Sequence, residues 1–114
     1  MQLTPITTTI GSEVSGVDLC ADLTATLGEQ IHDALVERAV LVFRDQPIDP
    51  QTHLDLAAAL GEVGATHPLY PSDTGFPQVN IIPNDAAHPP ESEAWHSDLS
   101  CKANPPFAAV LRAE

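Results

Sequence analysis

Apolar side chains recur at two different periods along this chain, and the changes of period mark its elements. The stretch Leu3–Val17 is rich in Thr, Ile, Val and Gly and reads as one or two short strands around Gly11. Helical spacing follows: Leu27, Ile31, Ala34, Leu35 and Arg38 fall on one face, and Thr26 with Glu29 has the spacing of a capping box. Ala39-Val-Leu-Val-Phe43 is too short and too β-branched to prolong that helix, so it predicts a buried strand, with Arg44–Pro47 as the turn after it. Asp49 as N-cap and Pro50 as first helical residue open a second helix. Leu54, Ala57 and Ala58 lie on one side of it, Leu56 and Leu60 beside them, and Gly61 or Gly64 ends it. Residues 65–77 hold three prolines and predict a long loop. Val79–Ile82 predicts a short strand, Pro83–Glu93 a polar, mobile loop or lid, and Trp95–Ser100 and Phe107–Leu111 two further strands. The pattern is α+β and mainly β towards its end, where the last strand has no sequence partner after it; a truncated β-fold is expected.

Composition narrows the function classes. Of 114 residues, 16 are Asp or Glu and only four are Lys or Arg, a formal charge of −12. Phosphate backbones and anionic membrane surfaces need clustered cations, so neither nucleic acid nor membrane is an expected partner. A local anion site remains compatible with an acidic chain. The first basic residue is Arg38 and the strictly apolar runs reach five residues, so neither a secretory leader nor a membrane span is expected. Two cysteines, Cys20 and Cys101, are too few for a disulfide framework and read as free, partly buried thiols in a reducing cytoplasm.

Candidate chemistry concentrates late in the chain. In extended backbone, residues i and i+2 point to the same side, so His96 and Asp98 can reach one ion. They make two-thirds of a two-His-one-carboxylate facial triad, which holds non-haem Fe(II) and leaves open positions for a co-substrate and O₂. Five His and nine Asp give roughly 0.4 such pairs by chance, so the spacing alone favours an ordinary polar strand over a metal site. His53 and Asp55 repeat the spacing inside the second predicted helix, where the two side chains face about 200° apart, and are rejected as a chelate. Trp95 reads either as a wall for the site or as a core anchor. His67 and Tyr70, in His67-Pro-Leu-Tyr-Pro71, either meet a polar substrate or belong to a proline-shaped loop with a packed ring. His88 and His32 read as solvated.

The chain resembles the taurine dioxygenase/TfdA-type Fe(II)- and 2-oxoglutarate-dependent dioxygenases along its whole length. The resemblance is carried by Ile10-Gly11 through Asp18-Leu19, by Val42-Phe-Arg-Asp-Gln46 and by Leu60-Gly-Glu62. It continues in His67–Pro71, Trp95-His-Ser-Asp98 and Asn104-Pro-Pro106. It implies that His96 and Asp98 are the first two iron ligands and that His67 and Tyr70 contact the substrate. It also implies a double-stranded β-helix (jelly roll) with helices packed outside. Such enzymes convert 2-oxoglutarate and O₂ to succinate and CO₂ while hydroxylating a substrate C–H bond. The family's second iron His, its 2-oxoglutarate Arg and a 2-oxoglutarate Thr all lie beyond position 114. Residues 1–114 are therefore expected to be the N-terminal part of one such domain, an incomplete jelly roll with flanking N-terminal helices. The expected partners are O₂ and a small anionic organic substrate: a sulfonate such as taurine, an alkyl sulfate or a related acid. Ser92, where the taurine branch has Asn, and Cys101, where an aromatic is usual, weigh against taurine itself. A cytoplasmic protein, homo-oligomeric at full length, completes the expectation. The alternative is an inactive fragment or a non-enzymatic metal-binding module.

Overall fold

The computed structural model describes residues 1–113 apart from 22, 66–69, 87, 88 and 90–93. It divides into two compact units, Met1–Glu62 and Val63–Glu114.

The first unit is a small α+β arrangement. Strands β1 (Gln2–Pro5) and β2 (Ser12–Ser15) pair antiparallel with Leu3 opposite Val14. The loop between them closes at Gly11, whose φ of 83° suits glycine and whose carbonyl accepts from the Ile6 N–H at 3.0 Å. Helix α1 (Ala25–Arg38) then carries the chain to β3 (Leu41–Phe43), which lies parallel to β2 with Ser12 opposite Leu41. A parallel neighbour requires such a crossover. Helix α2 (Pro50–Leu60) completes the unit, and the sheet order is β1-β2-β3.

Both helices start where a side chain satisfies a free N–H. Asp49 caps α2, its Oδ1 accepting from the Thr52 N–H at 2.7 Å, with Pro50 first in the helix. In α1 the cap is Thr24 rather than the expected Thr26: Thr24 has the extended backbone a cap needs, and its Oγ1 accepts from the Leu27 N–H at 3.2 Å, while Thr26 already lies within the first turn. The expected strand from Ala39 also begins later, at Leu41. Ala39 instead ends α1 in the left-handed region (φ 61°), its N–H returning to the Leu35 carbonyl at 2.8 Å.

Leu27, Ile31 and Ala34 of α1 pack into a core with Val14, Leu19 and Leu56. Gly28 lies where α1 meets α2: a β-carbon there would stand 3.0 Å from that of Ala59, so the helices approach through a missing side chain. Two polar clamps secure the connections. Arg38 donates through Nε to the wholly buried Ser12 hydroxyl at 3.0 Å, and through Nη2 to the carbonyls of Thr7 (3.0 Å) and Gly11 (3.1 Å). Gln46 accepts from the Leu19 N–H at 2.9 Å and donates to the Val17 carbonyl at 3.2 Å.

The second unit is mostly irregular. The strand expected at Val79–Ile82 reduces to one antiparallel bridge between Ser72 and Asn80, flanked by hydrogen bonds from Asp73 to Val79 (2.9 Å) and from Ile81 to Pro71 (2.8 Å). Neither Trp95–Ser100 nor Phe107–Leu111 forms a strand: residues 98–101 make a turn, and Phe107 and Leu111 are 59% and 83% exposed. A strand exists only beside a ladder partner, and among the described residues these segments join no strand ladder. Part of the expected lid, 87, 88 and 90–93, lies outside the described residues, and His88 and Ser92 with it. Among the described residues no helix is long and apolar enough to cross a membrane.

Candidate metal centre

His96 and Asp98 do meet. His96 Nε2 stands 3.3 Å from Asp98 Oδ1, although the backbone bringing them together is irregular at 95–97 and turned at 98–100 rather than extended. His96 Nδ1 lies 2.8 Å from the Ala94 carbonyl oxygen. A carbonyl can only accept, so Nδ1 carries the hydrogen and, in the neutral ring, Nε2 presents its lone pair to the carboxylate. Two acceptors at that distance are stable together only with a cation between or beside them. A proton serves at low pH: the Ala94 carbonyl first, and the Asp98 charge second, raise the imidazole above its ordinary value. The pair's contribution is thus present below the ordinary imidazole value and fades as pH rises through the raised one. We expect the His96 C2–H resonance to titrate above the ordinary imidazole value, and Asp98→Asn to lower its midpoint only partly, because the Ala94 bond remains. An unchanged midpoint in Asp98→Asn would show that the two side chains do not meet in solution.

The same arrangement fits a metal ion. Two neighbouring ligands each about 2.1 Å from an octahedral ion stand roughly 3 Å apart, close to the 3.3 Å seen here. Metal-bound histidines donate their other ring N–H to a carbonyl or carboxylate, which fixes the tautomer, as Ala94 does here. Both side chains are 64% exposed, so an ion can enter. Among the described residues no cluster of three or more His, Cys, Asp and Glu side chains occurs, so the pair supplies two ligands and not a closed site. Asp98 also opens onto a groove of about 430 Å³ lined by Ser97, Ser100, Pro105, Pro106 and Phe107.

The other candidates separate clearly. His67 lies outside the described residues; Tyr70 is exposed at the end of its loop. Trp95 is neither wall nor core anchor: its ring is fully exposed, 104% of the reference value. His53 is half-buried in α2 whereas Asp55 is exposed and accepts from Gln51 Nε2 at 2.8 Å, so this pair faces apart as helix geometry requires. His32 is on the surface beside Asp33, at 3.4 Å. Cys20 and Cys101 are free, and both are exposed rather than partly buried. The Ala94 carbonyl, which sets the tautomer of His96, had no signal in the sequence, since every residue carries one.

A family model described as taurine catabolism dioxygenase TauD, TfdA family, matches residues 2–114. An alpha-ketoglutarate-dependent sulfate ester dioxygenase of Pseudomonas putida is 36% identical over 110 residues, which are 96% of this chain and 36% of that protein. An alkylsulfatase of Acinetobacter baylyi is 32% identical over 112 residues, 98% of this chain and 35% of the relative. This chain thus spans about a third of the length of the curated relatives it matches. Among solved structures, a taurine dioxygenase from Burkholderia xenovorans is similar with a TM-score of 0.61 and 34% identity over 67% of this chain and 27% of its own. AAD-2 in complex with Mn(II) and N-oxalylglycine is similar with a TM-score of 0.54 and 31% identity, covering 59% of this chain and 27% of that one.

Proposed function

We propose, because this chain belongs to the taurine catabolism dioxygenase TauD, TfdA family, that it is the N-terminal part of a single Fe(II)- and 2-oxoglutarate-dependent dioxygenase domain that hydroxylates a small anionic substrate. The observation carrying the proposal is the His96–Asp98 pair with its tautomer set by Ala94. His96 Nε2 and an Asp98 oxygen would hold two neighbouring positions on Fe(II), and the third protein ligand would come from chain beyond these residues. When bound, the iron supplies the redox chemistry that couples conversion of 2-oxoglutarate and O₂ to succinate and CO₂ with substrate hydroxylation. This chain's residues bind and orient: Ala94 keeps the proton on Nδ1 so that Nε2 is free to ligate, and Asp98 offsets part of the cation's charge. The likeness to a protein holding Mn(II) and N-oxalylglycine, a dicarboxylate, supports a divalent ion with a dicarboxylate co-substrate. His67 and Tyr70 are the proposed substrate contacts. The names of the two curated relatives favour an alkyl sulfate or other sulfate ester over taurine, in line with Ser92 and Cys101. The jelly roll would be completed by the same missing chain, in a cytoplasmic protein that acts as a homo-oligomer.

The test joins residues 1–114 to the C-terminal two-thirds of the Pseudomonas relative. With Fe(II), ascorbate, O₂, 2-oxoglutarate and hexyl sulfate, the chimaera is expected to form succinate and release sulfate, while the isolated chain forms neither. Succinate from the isolated chain would refute its incompleteness; a well-folded chimaera that turned over no sulfate ester or sulfonate would refute the enzymatic proposal. The exposed His96–Asp98 pair, open to an ion without further chain, is the ground for one further possibility, a stand-alone metal-binding module. Micromolar Fe(II) binding by the isolated chain, lost in His96→Ala, would support that instead.

A further inference from the structure

The groove beside Asp98 is lined by two short runs of the second unit. Ser97 and Ser100 accompany Asp98; the other run, Pro105, Pro106, Phe107, Ala108 and Ala109, is apolar throughout. Among the described lining residues there is no Lys or Arg, and the one charge is the Asp98 carboxylate. That charge repels the anionic end of a substrate but not an uncharged hydrocarbon segment. Two consecutive prolines hold φ near −65°, so the apolar run is stiff before anything binds, and a preformed wall lowers the ordering cost of binding. The volume of about 430 Å³ is that of a small-molecule site. Phe107 is 59% exposed, so its ring keeps apolar surface that a bound chain would cover.

We propose that this groove takes the apolar tail of the substrate and that Phe107 sets how strongly long tails are preferred; this rests on the dioxygenase reading and the ligand role of Asp98 given above. The substrate is then an anionic ester bearing an alkyl chain of several carbons. Its charged end lies away from Asp98, and its reacting carbon stands at the metal. The chain beyond that carbon follows the groove, which begins at the same carboxylate that ligates the metal. A two-carbon sulfonate bearing an ammonium group, such as taurine, would leave the groove empty.

The test measures kcat and KM of the chimaera described above on ethyl, butyl and hexyl sulfate, followed by sulfate release. Each methylene buried in the groove strengthens binding by about three- to fourfold, so kcat/KM should rise from ethyl to hexyl sulfate. Phe107→Ala should cut the hexyl-to-ethyl ratio by about five- to tenfold. The tail only holds the substrate, so the loss falls on KM for hexyl sulfate and not on kcat. Phe107→Leu keeps an apolar side chain and should retain most of the ratio. If Phe107→Ala gives no folded protein, Ala108→Phe, which obstructs the groove, is read on the same ratio and should lower it. A ratio within about twofold of wild type, whether turnover stays or falls alike for all three esters, overturns the proposal. A folded chimaera that turns over none of them refutes the dioxygenase reading and this inference with it. That result is distinct from one in which the esters are turned over but Phe107 does not affect the choice among them.

Discussion

In the chimaera described above, His96→Ala and Asp98→Ala are each expected to lower iron-dependent succinate formation by at least about 100-fold, since even substitutions behind a metal ligand reduce affinity or activity by 10–100-fold. The same two changes should leave the melting temperature almost unmoved. Both side chains are 64% exposed, and an exposed pair contributes little to folding. His53→Ala should do the reverse. It removes a half-buried ring from α2, so stability falls by about 1 kcal/mol, the usual size for such a change, while Mn(II) and Fe(II) binding stay as they are. Asp55→Asn should change neither quantity, because the amide oxygen can still accept from Gln51 Nε2. The crossed pattern is what discriminates. Two His-x-Asp pairs of identical spacing sit in one chain, one on a helix and one in a turn, and only the second brings its groups together. Loss of turnover in His53→Ala without loss of fold, or full turnover in His96→Ala, would show that the metal lies elsewhere.

How far the sequence could show this in advance depends on the range of the interactions involved. Both helices were legible because their signals are local. Asp49 with Pro50 marks the start of α2 within two residues, and the error of two positions at Thr24 arose because Thr24 and Thr26 are both plausible caps and only backbone conformation separates them. The strand before Phe43 was legible in kind but not in length, because Ala39 takes the left-handed cap of α1 although nothing in its side chain favours it. Strands were misread where the ladder partner is what decides. Trp95–Ser100 and Phe107–Leu111 have strand-like side chains, yet the described part of the second unit offers no edge for them, and Trp95, Phe107 and Leu111 remain in solvent. The His96–Asp98 pair was found for a partly wrong reason: the spacing is right, but a turn rather than a strand brings the groups together. Its supporting group, the Ala94 carbonyl, belongs to a position whose side chain announces nothing. Nor does composition reveal that Gln46, within the motif Val42–Gln46, ties Val17 and Leu19 in place.

Arg38→Ala is expected to lower the stability of the first unit by about 2–4 kcal/mol, the scale of losing several charge-assisted hydrogen bonds that are not additive. In a domain of this size that shifts the melting temperature by roughly 10–20 °C. It can be followed by circular dichroism at the helical band, since α1 and α2 are the α-helices among the described residues. The magnitude follows from what is left behind. Ser12 is wholly buried and its hydroxyl receives the Arg38 Nε–H, so truncation orphans a buried polar atom and takes a donor from two loop carbonyls, Thr7 and Gly11, the second of which keeps the Ile6 N–H. The backbone bonds from Gly11 to the Arg38 carbonyl (2.8 Å) and from Ser12 to the Val40 carbonyl (3.0 Å) survive, which is why the unit weakens rather than unfolds outright. Lys at 38 offers one compact ammonium in place of a planar fork and should recover less than half of the loss. Ser12→Ala removes the acceptor along with its need for a donor, so the double variant should be less destabilised than the sum of the two singles, by about 1 kcal/mol. Arg44 supplies the internal control. Its Nε, on the residue just after β3, lies 3.5 Å from Glu13 Oε2 on β2, with the side chains 66% and 45% exposed, and water screens such a pair. Arg44→Ala should therefore cost less than about 0.5 kcal/mol. Two arginines near one small sheet thus differ several-fold in what they hold, because one donates to a buried hydroxyl that water cannot reach and the other does not. Equal, small effects at 38 and 44 would mean that the clamp on the β1–β2 loop is decorative and that apolar packing of α1 alone keeps the loop closed.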